Sequence, residues 1–167
     1  KEQSGNHSLL EKLLGIQLKK DTVYRLLDTL NKQNLTQIAY DFVSRYHPQG
    51  VSICFYDVTT LYFETPREDE FRQKGFSKDH RTDMPQILIG LFVDSNGYPF
   101  DIDWFEGKTF EGHTFSQAID SIQNRYTFPQ LTVVADAGML SQDNLAYLEE
   151  KNIHYIVGAR LKIFPSC

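Results

Sequence analysis

The sequence predicts an α/β fold in which a mixed sheet, with three antiparallel strands and further parallel strands, follows a helical N-terminal extension. Leucines recur at helical spacing through residues 8–46. Two apolar runs flank the dipeptide Asn96-Gly97, which is a strong signal for a β-hairpin. After residue 113, segments with helical spacing alternate with short apolar runs. These patterns place helices first and a sheet with connecting helices after them.

The size and composition of the chain favour one globular domain. Its 167 residues are 41% hydrophobic, which is enough for one sizeable core, whereas a second full domain is not expected. No stretch reaches the roughly 18 apolar residues of a membrane span, and residues 1–5 lack the apolar core of a secretory signal. Cys54 and Cys167 suggest neither a disulfide nor a zinc site. We therefore expect a cytoplasmic protein without a membrane partner.

The helical extension is predicted over residues 1–48. A first helix covers residues 8–19 with Ser8 as its N-cap, and residues 47–50 end the helical region. Two more helices are predicted between residues 21 and 46. Their apolar positions are Val23, Leu26, Leu27 and Leu30 in one, and Leu35, Ile38, Phe42 and Val43 in the other. These helices either contact DNA or cover one face of the sheet. Their mixed charges do not decide between the two roles.

The remainder of the chain, residues 51–167, contains the predicted sheet. Its strand-like segments are bounded by turn residues, and the helices between them carry apolar residues every three or four positions. The predicted strands are 51–64, 86–94, 98–105, 131–135 and 154–161, and the predicted helices are 114–125 and 142–151, the second capped by Ser141. This order of elements is that of a ribonuclease H-like fold.

Two aspartates follow the apolar runs that this fold makes neighbours. In a ribonuclease H-like sheet the first and fourth strands lie side by side at the centre, and here Asp57 and Asp136 follow the runs 51–56 and 131–135. A carboxylate that closes a buried strand is costly to desolvate and is usually kept for a metal or a proton. Two adjacent carboxylates resist joint ionisation unless a divalent cation neutralises them, and Mg²⁺ prefers such oxygen ligands. We therefore expect Asp57 and Asp136 to be metal-binding catalytic residues.

Three segments resemble the catalytic core of DDE transposases from bacterial insertion sequences. They are Tyr-Asp-Val-Thr-Thr-Leu-Tyr-Phe at 56–63, Lys-Gly-Phe-Ser-Lys-Asp-His-Arg-Thr-Asp-Met-Pro-Gln at 74–86 and Val-Val-Ala-Asp-Ala-Gly-Met at 133–139. They occur in the family's order, and the resemblance runs from about residue 51 to about residue 162. It implies that Asp57 is the first catalytic aspartate and Asp136 the second, while Gly138 lets the backbone turn beside the metal.

The resemblance also implies a function. Members of this family cleave a phosphodiester at the end of a transposon, and the freed 3′-hydroxyl then attacks target DNA with the help of Mg²⁺ or Mn²⁺. The expected partners are transposon-end DNA and target DNA. The expected assembly is a homodimer or a higher oligomer on DNA, in the bacterial cytoplasm and associated with the nucleoid.

The sequence departs from the family pattern at its third acidic residue. That residue is a glutamate on a helix after the fifth strand, and this sequence stops at Cys167, a few residues beyond that strand. Glu149 and Glu150 lie on the helix before the strand and are not expected to replace it. We therefore expect an inactive or weakly active fragment, a partial catalytic core without the final acidic helix. The alternative is a non-catalytic DNA-binding or regulatory fragment.

Residues 72–81 are the best local candidate for contacts to phosphate. A net charge of −5 and a pI near 5.5 argue against nucleic-acid binding in general, so a local patch is required. This segment holds four cationic residues against one acidic residue, and Gly75 and Ser77 mark it as a loop. The predicted DNA-binding residues are Arg72, Lys74, Lys78, His80 and Arg81. A solvated surface loop is the alternative interpretation.

Other polar residues receive structural interpretations. Asp101 and Asp103 alternate with Ile102 and Trp104, which predicts the solvent side of a hairpin. Residues 111–113 are expected to cap the helix that follows them. The remaining histidines are expected to be ordinary surface or turn residues, namely His7, His47 and His154.

A rival hypothesis is a phosphatase of the haloacid dehalogenase type, with Asp57 as a covalent nucleophile and Asp136 as a magnesium ligand. It requires a second acid two residues after the nucleophile, where this chain has Thr59. It also requires a parallel sheet, which the Asn96-Gly97 hairpin signal contradicts.

Overall fold

The computed structural model describes residue 15 and residues 19–75, 83–139 and 141–158, and in that part of the chain the strands form one five-stranded sheet with the order β3-β2-β1-β4-β5. The strands are β1 (Ile53–Tyr62), β2 (Gln86–Asp94), β3 (Pro99–Glu106), β4 (Thr132–Ala135) and β5 (His154–Val157). The first three run antiparallel, whereas β4 is parallel to both β1 and β5. The predicted mixed α/β sheet is therefore confirmed, with the first and fourth strands as central neighbours.

The helices of the described chain are α1 (Lys20–Thr29), α2 (Lys32–Ser44), α3 (Glu111–Arg125) and α4 (Gln142–Glu150). The predicted helix over residues 8–19 lies outside the described residues except for Gly15 and Lys19. Ser141 caps α4 as predicted, since its Oγ accepts a bond of 3.1 Å from the N–H of Asn144. The start of α3 was predicted three residues too late, because residues 111–113 form its first turn instead of a cap. None of these helices combines the length and apolar composition that a bilayer crossing requires.

The chain divides into two compact units, Lys1–Leu35 and Thr36–Cys167. In the second unit, α3 packs on one face of the sheet. Phe115, Ile119 and Ile122 of α3 are buried in the same core as Tyr56 and Phe92 of the central strands. The rings of Tyr56 and Phe115 meet edge to face with their centroids 5.7 Å apart. The strands therefore have one face that is buried in the core.

The apolar positions of α1 and α2 were predicted from their spacing, but most of them are exposed. No residue of α1 is buried. In α2, Val43 is buried while Leu35, Ile38 and Phe42 lie at the surface. The contacts of α2 with the core come from the opposite side of the helix, where Tyr40 stacks on Tyr126 with ring centroids 3.8 Å apart. The spacing predicts a helix correctly, whereas the choice of the buried side depends on what packs against it.

The prediction that Asp101 and Asp103 face solvent is wrong. Asp101 is only 3% exposed and Asp103 only 6%, whereas Trp104, the next residue of β3, is 45% exposed. Arg125 at the end of α3 explains the reversal, since its Nη1 lies 2.9 Å from Asp101 Oδ1 and its Nη2 lies 3.3 Å from Asp103 Oδ2. A cation that belongs to the covering helix thus allows two carboxylates to occupy the inner face of β3.

The expectation that His47 is an ordinary turn residue is also wrong. Its Nε2 lies 2.7 Å from Oδ2 of Asp94, whose side chain is buried at the end of β2. The other oxygen of Asp94 accepts bonds from the backbone N–H groups of Asn96 and Tyr98. The hairpin turn uses Gly97 at φ +87°, a conformation that glycine adopts without strain. Asp94 therefore connects the end of the helical region to the first hairpin.

We expect Asp94→Asn to destabilise the protein by about 1–3 kcal/mol at pH 7, because the side chain loses charged hydrogen bonds in a buried position. Burial would raise the pKa of Asp94, but the bonds from His47, Tyr98 and Asn96 outweigh it and lower the pKa below its usual 3.8. A lowered carboxyl pKa stabilises the fold above the unfolded pKa, and this contribution is lost as pH falls through the folded one. Urea unfolding between pH 3 and 7 should therefore show the difference between the proteins shrinking below about pH 4. A difference independent of pH would contradict this origin.

Candidate active site

Asp57 and Asp136 are brought together by the register of β1 and β4. The two strands run parallel, and the last pair in their register is Tyr56 with Ala135. Asp57 directly follows Tyr56, and Asp136 directly follows Ala135. Neighbouring strands lie about 4.8 Å apart, so the two carboxylates start from backbone positions close enough for one cation to reach both.

Both aspartates project from the face of the sheet opposite to the core. In β1, Cys54, Tyr56 and Val58 are buried, so Asp57 alternates to the other side. In β4, Val133 and Ala135 are buried, and Asp136 continues the alternation. Both carboxylates are exposed, which corrects the expectation that their cost of desolvation marks the site. Their proximity, and not their burial, distinguishes them.

We call this side of the sheet the open face. Six large apolar residues on it are exposed, namely Ile53, Phe55, Leu61, Leu91, Trp104 and Ile156, while others such as Ile87, Ile89 and Ile102 are partly buried. Leu91 is the direct partner of Asp57 across β1 and β2, and Phe55 lies two residues before Asp57 on the same side. The two acids are therefore set among apolar side chains, a setting that strengthens their interaction with a bound cation whenever water is displaced.

Each aspartate is held by a local hydrogen bond to one oxygen. Oδ1 of Asp57 accepts a bond of 2.9 Å from the N–H of Val58. Oδ1 of Asp136 accepts a bond of 3.2 Å from the N–H of Gly138, in the short 3-10 helix Ala137–Met139. The backbone oxygen of Asp136 also receives the N–H of Met139 at 2.9 Å. Each carboxylate is thereby oriented, and its second oxygen can serve as a ligand.

The backbone turn after β4 does not require glycine at position 138. Its φ lies outside the left-handed region, where the described glycines are Gly15, Gly50 and Gly97. A Cβ at position 138 would meet only Oδ2 of Asp136, at 3.9 Å, which is an ordinary contact. The turn after β4 can therefore accept a side chain as far as the protein itself is concerned.

Gly138→Ala is expected to change the free energy of unfolding by less than about 1 kcal/mol, because alanine fits this conformation and loses less chain entropy on folding. Urea unfolding of the two proteins without added metal measures this directly. Gly97→Ala is the matched control, since its positive φ should make the same change destabilising. A loss of more than about 2 kcal/mol for Gly138→Ala would contradict an unstrained turn.

The donor set at this site suits a hard divalent cation. Carboxylate oxygens are the ligands that Mg²⁺ and Mn²⁺ prefer, and two adjacent carboxylates gain from neutralisation. Within the described ranges, no group of three or more His, Cys, Asp or Glu side chains is arranged to hold a metal ion. Glu149 lies at the end of α4, before β5, and accepts a bond of 3.2 Å from the Tyr155 hydroxyl. The residues present therefore offer a two-carboxylate site.

The predicted DNA-binding segment is described only in part. Lys78, His80 and Arg81 lie outside the described residues. The guanidinium of Arg72 is bound to Asp69, with both Nε and Nη2 at 2.6 Å from Oδ2. That pairing compensates the charge of Arg72, so a contact with phosphate would have to compete with Asp69. Lys74 is exposed beside it.

Sequence reasoning missed two charged groupings, Arg125 with Asp101 and Asp103, and His47 with Asp94. The signal for the first was a basic residue in the last turn of an amphipathic helix after an Asp-x-Asp strand. Neither grouping lies on the open face, because these carboxylates belong to the core side or to the hairpin end. They stabilise the fold that carries Asp57 and Asp136.

The transposase DDE domain is the family whose sequence model matches this chain, over residues 48–163. The chain belongs to the DDE transposase family. No curated protein matches this transposase chain. The antiparallel pairing of β1 with β2 also removes the phosphatase hypothesis, which required a parallel sheet.

Solved structures similar to this DDE transposase chain include other transposases. The Mos1 transposase paired-end complex with left transposon end is 13% identical over 87% of this chain and 52% of that chain, with a TM-score of 0.42. The catalytic domain of Mos1 mariner transposase is 14% identical over 87% and 65%, with a TM-score of 0.40. The piggyBac transposase synaptic complex with hairpin DNA is 12% identical over 68% and 24%, with a TM-score of 0.43. The chain thus spans about half the length of the Mos1 transposase in its paired-end complex.

Proposed function

We propose that this chain carries catalytic residues of a DNA transposase from an insertion sequence, which cleaves phosphodiesters at the element's ends and joins them to target DNA. The adjacency of Asp57 and Asp136 on the open face carries this proposal. Family membership over residues 48–163 supports it. In this proposal residues 51–167 are a partial catalytic core, and residues 1–48 are its helical extension.

The two aspartates would hold the metal. DDE transposases use divalent metals, and Mg²⁺ or Mn²⁺ is the ion we assign here because the carboxylates of Asp57 and Asp136 are oxygen ligands. When bound, such an ion polarises the phosphodiester and neutralises negative charge. Asp57 contributes a carboxylate that is fixed by the central strand on which it lies. Asp136 contributes one that is oriented by the turn at Gly138.

No protein nucleophile is required by this proposal. The open face would receive the DNA backbone, so that Asp57 and Asp136 orient one phosphodiester between them and the apolar residues around them limit access of water. Transposon-end DNA and target DNA would be the substrates, and Lys74, Lys78, His80 and Arg81 are the proposed phosphate contacts, with Arg72 after release from Asp69. A homodimer or higher oligomer would bring two element ends together.

The test is a nicking assay on duplex DNA that contains the element's end, with Mg²⁺ and Mn²⁺ titrated separately. We expect metal-dependent binding and at most weak cleavage by the 167 residues, and loss of any cleavage in the double variant Asp57→Asn/Asp136→Asn. DNA binding without any cleavage would favour the non-catalytic alternative. Robust cleavage by the wild-type chain would show that two carboxylates suffice, and equal cleavage by the double variant would overturn the assignment of the site.

A further inference from the structure

We propose that an exposed patch formed by Ile38, Phe42, Tyr46 and Tyr98 is a self-association surface, at which α2 packs antiparallel against α2 of a second copy about a two-fold axis. The patch lies entirely within the unit Thr36–Cys167. It is distinct from the open face, since three of its residues come from α2 and the turn after it, and the fourth comes from the β2–β3 hairpin. The inference deepens the proposed function, because it names the surface through which the transposase would assemble.

The patch is apolar and contiguous. Ile38 is 66% exposed, and the three aromatic residues are between 42% and 57% exposed. The ring of Phe42 meets those of Tyr46 and Tyr98 edge to face, at 5.3 and 5.8 Å, and Tyr46 stacks on Tyr98 at 6.0 Å. The rings are therefore held in one arrangement before any partner binds, which lowers the entropy cost of association. Contiguous exposed apolar residues on a folded protein mark interaction sites.

The geometry of the helix aligns this patch. Ile38, Phe42 and Tyr46 are spaced by four residues, so they form one row along α2 and its C-terminal turn. The buried residues of the helix, Thr36 and Val43, lie on another side. The row therefore does not face the core, and only contact with a partner would bury it.

The charges beside the row are self-complementary. Asp41 and Arg45 are also four residues apart, and both are exposed along one flank of the row. Asp41 accepts a bond of 2.8 Å from Gln37, which orients its carboxylate on the helix surface. In an antiparallel pair centred at Phe42, Ile38 faces Tyr46 of the second copy. Asp41 lies two residues, about 3 Å along the helix axis, from the position facing Arg45 of the second copy, a distance that the long arginine side chain spans. A two-fold axis forms this ion pair twice, as expected for an isologous interface.

The same charges argue against nucleic acid as the occupant. A phosphate-binding surface needs clustered cations, whereas this flank carries one acid and one base, and the chain as a whole carries a net charge of −5. One helix face and a hairpin tip form a small interface, so a weak dimer in the micromolar range is expected.

Sedimentation velocity of the full 167-residue chain, without DNA or divalent metal, tests this proposal over about 1–200 μM. We expect a concentration-dependent dimer, and Ile38→Glu and Phe42→Glu should each weaken it at least tenfold. Ile156→Glu is the matched control, because it places the same charge at an equally exposed apolar position on the open face. Thermal unfolding of each variant checks that it is folded. Ile38→Glu keeps the test decisive if Phe42→Glu does not fold.

The charge pair provides a second, specific measurement. Asp41→Arg alone and Arg45→Asp alone should each weaken the dimer, and the combined exchange should restore it to within about threefold, because the pair is rebuilt with reversed polarity. A chain that stays monomeric up to 200 μM would overturn the proposal, as would a dimer that only Ile156→Glu disrupts. Since neither DNA nor metal is present, these outcomes are independent of whether the chain cleaves DNA.

Discussion

Asp57→Asn and Asp136→Asn are each expected to weaken Mn²⁺ binding by at least about tenfold and to lower any DNA nicking by at least about a hundredfold. Mutating a residue that hydrogen-bonds a metal ligand typically lowers metal affinity or activity about 10–100-fold. Losing a ligand itself should have at least as large an effect. Asparagine keeps the shape of the side chain and can still accept a bond from the N–H of Val58 or Gly138, so both variants should fold. Without metal, each should be at least as stable as the wild type, because the repulsion between two neighbouring carboxylates is relieved.

Mn²⁺ binding can be followed by electron paramagnetic resonance of the free ion, which needs no catalytic activity. Asp28→Asn is the matched control, because it removes an exposed carboxylate from α1. The double variant should bind no more weakly than either single variant, since the two residues act as one site. Wild-type Mn²⁺ affinity in both single variants would show that these carboxylates do not share a cation.

Arg125→Met is expected to destabilise the fold by about 3 kcal/mol at pH 7, because it leaves two buried carboxylates without their cation. The side chain of Asp101 is fully buried and that of Asp103 nearly so, whereas Arg125 is only partly exposed. The guanidinium also donates to Ser121 Oγ at 2.8 Å, so its loss removes a further hydrogen bond. Urea unfolding measures the effect, with the exposed Arg67→Met as control.

The pH dependence of this variant follows from Asp101. Burial raises the pKa of Asp101 above 3.8, although the charge of Arg125 lowers it in part. A raised carboxyl pKa gives a contribution to stability that is present below the unfolded pKa and is lost as pH rises through the folded pKa. Without Arg125 the pKa rises further, so the deficit of Arg125→Met should shrink as the solution is acidified. The triple variant Asp101→Asn/Asp103→Asn/Arg125→Met should recover much of the loss at pH 7, and a deficit that persists unchanged in it would assign the effect to packing.

The fold and the pairing of the two aspartates follow from patterns local to the sequence. The run at residues 86–94 is apolar, and turn residues follow it, so the bounds of β2 were predicted correctly. The order of strands and helices is that of a ribonuclease H-like fold, in which the first and fourth strands are neighbours, and the structure places β4 beside β1. The helical spacing within residues 32–44 likewise predicts a helix, which the structure confirms.

What only the tertiary structure decided is which side of each element is buried. Alternation along β3 separates Asp101 and Asp103 from Ile102 and Trp104, but period two is the same for either face of a sheet. Arg125 settles the choice, because it supplies the cation that lets the aspartates turn inward and Trp104 turn outward. In the same way Ile38 and Phe42 satisfy a helical period and yet lie outside, because α2 contacts the core through Val43 and Tyr40. The sequence shows the period of the apolar residues, whereas the residues that cover one side or the other lie far away along the chain.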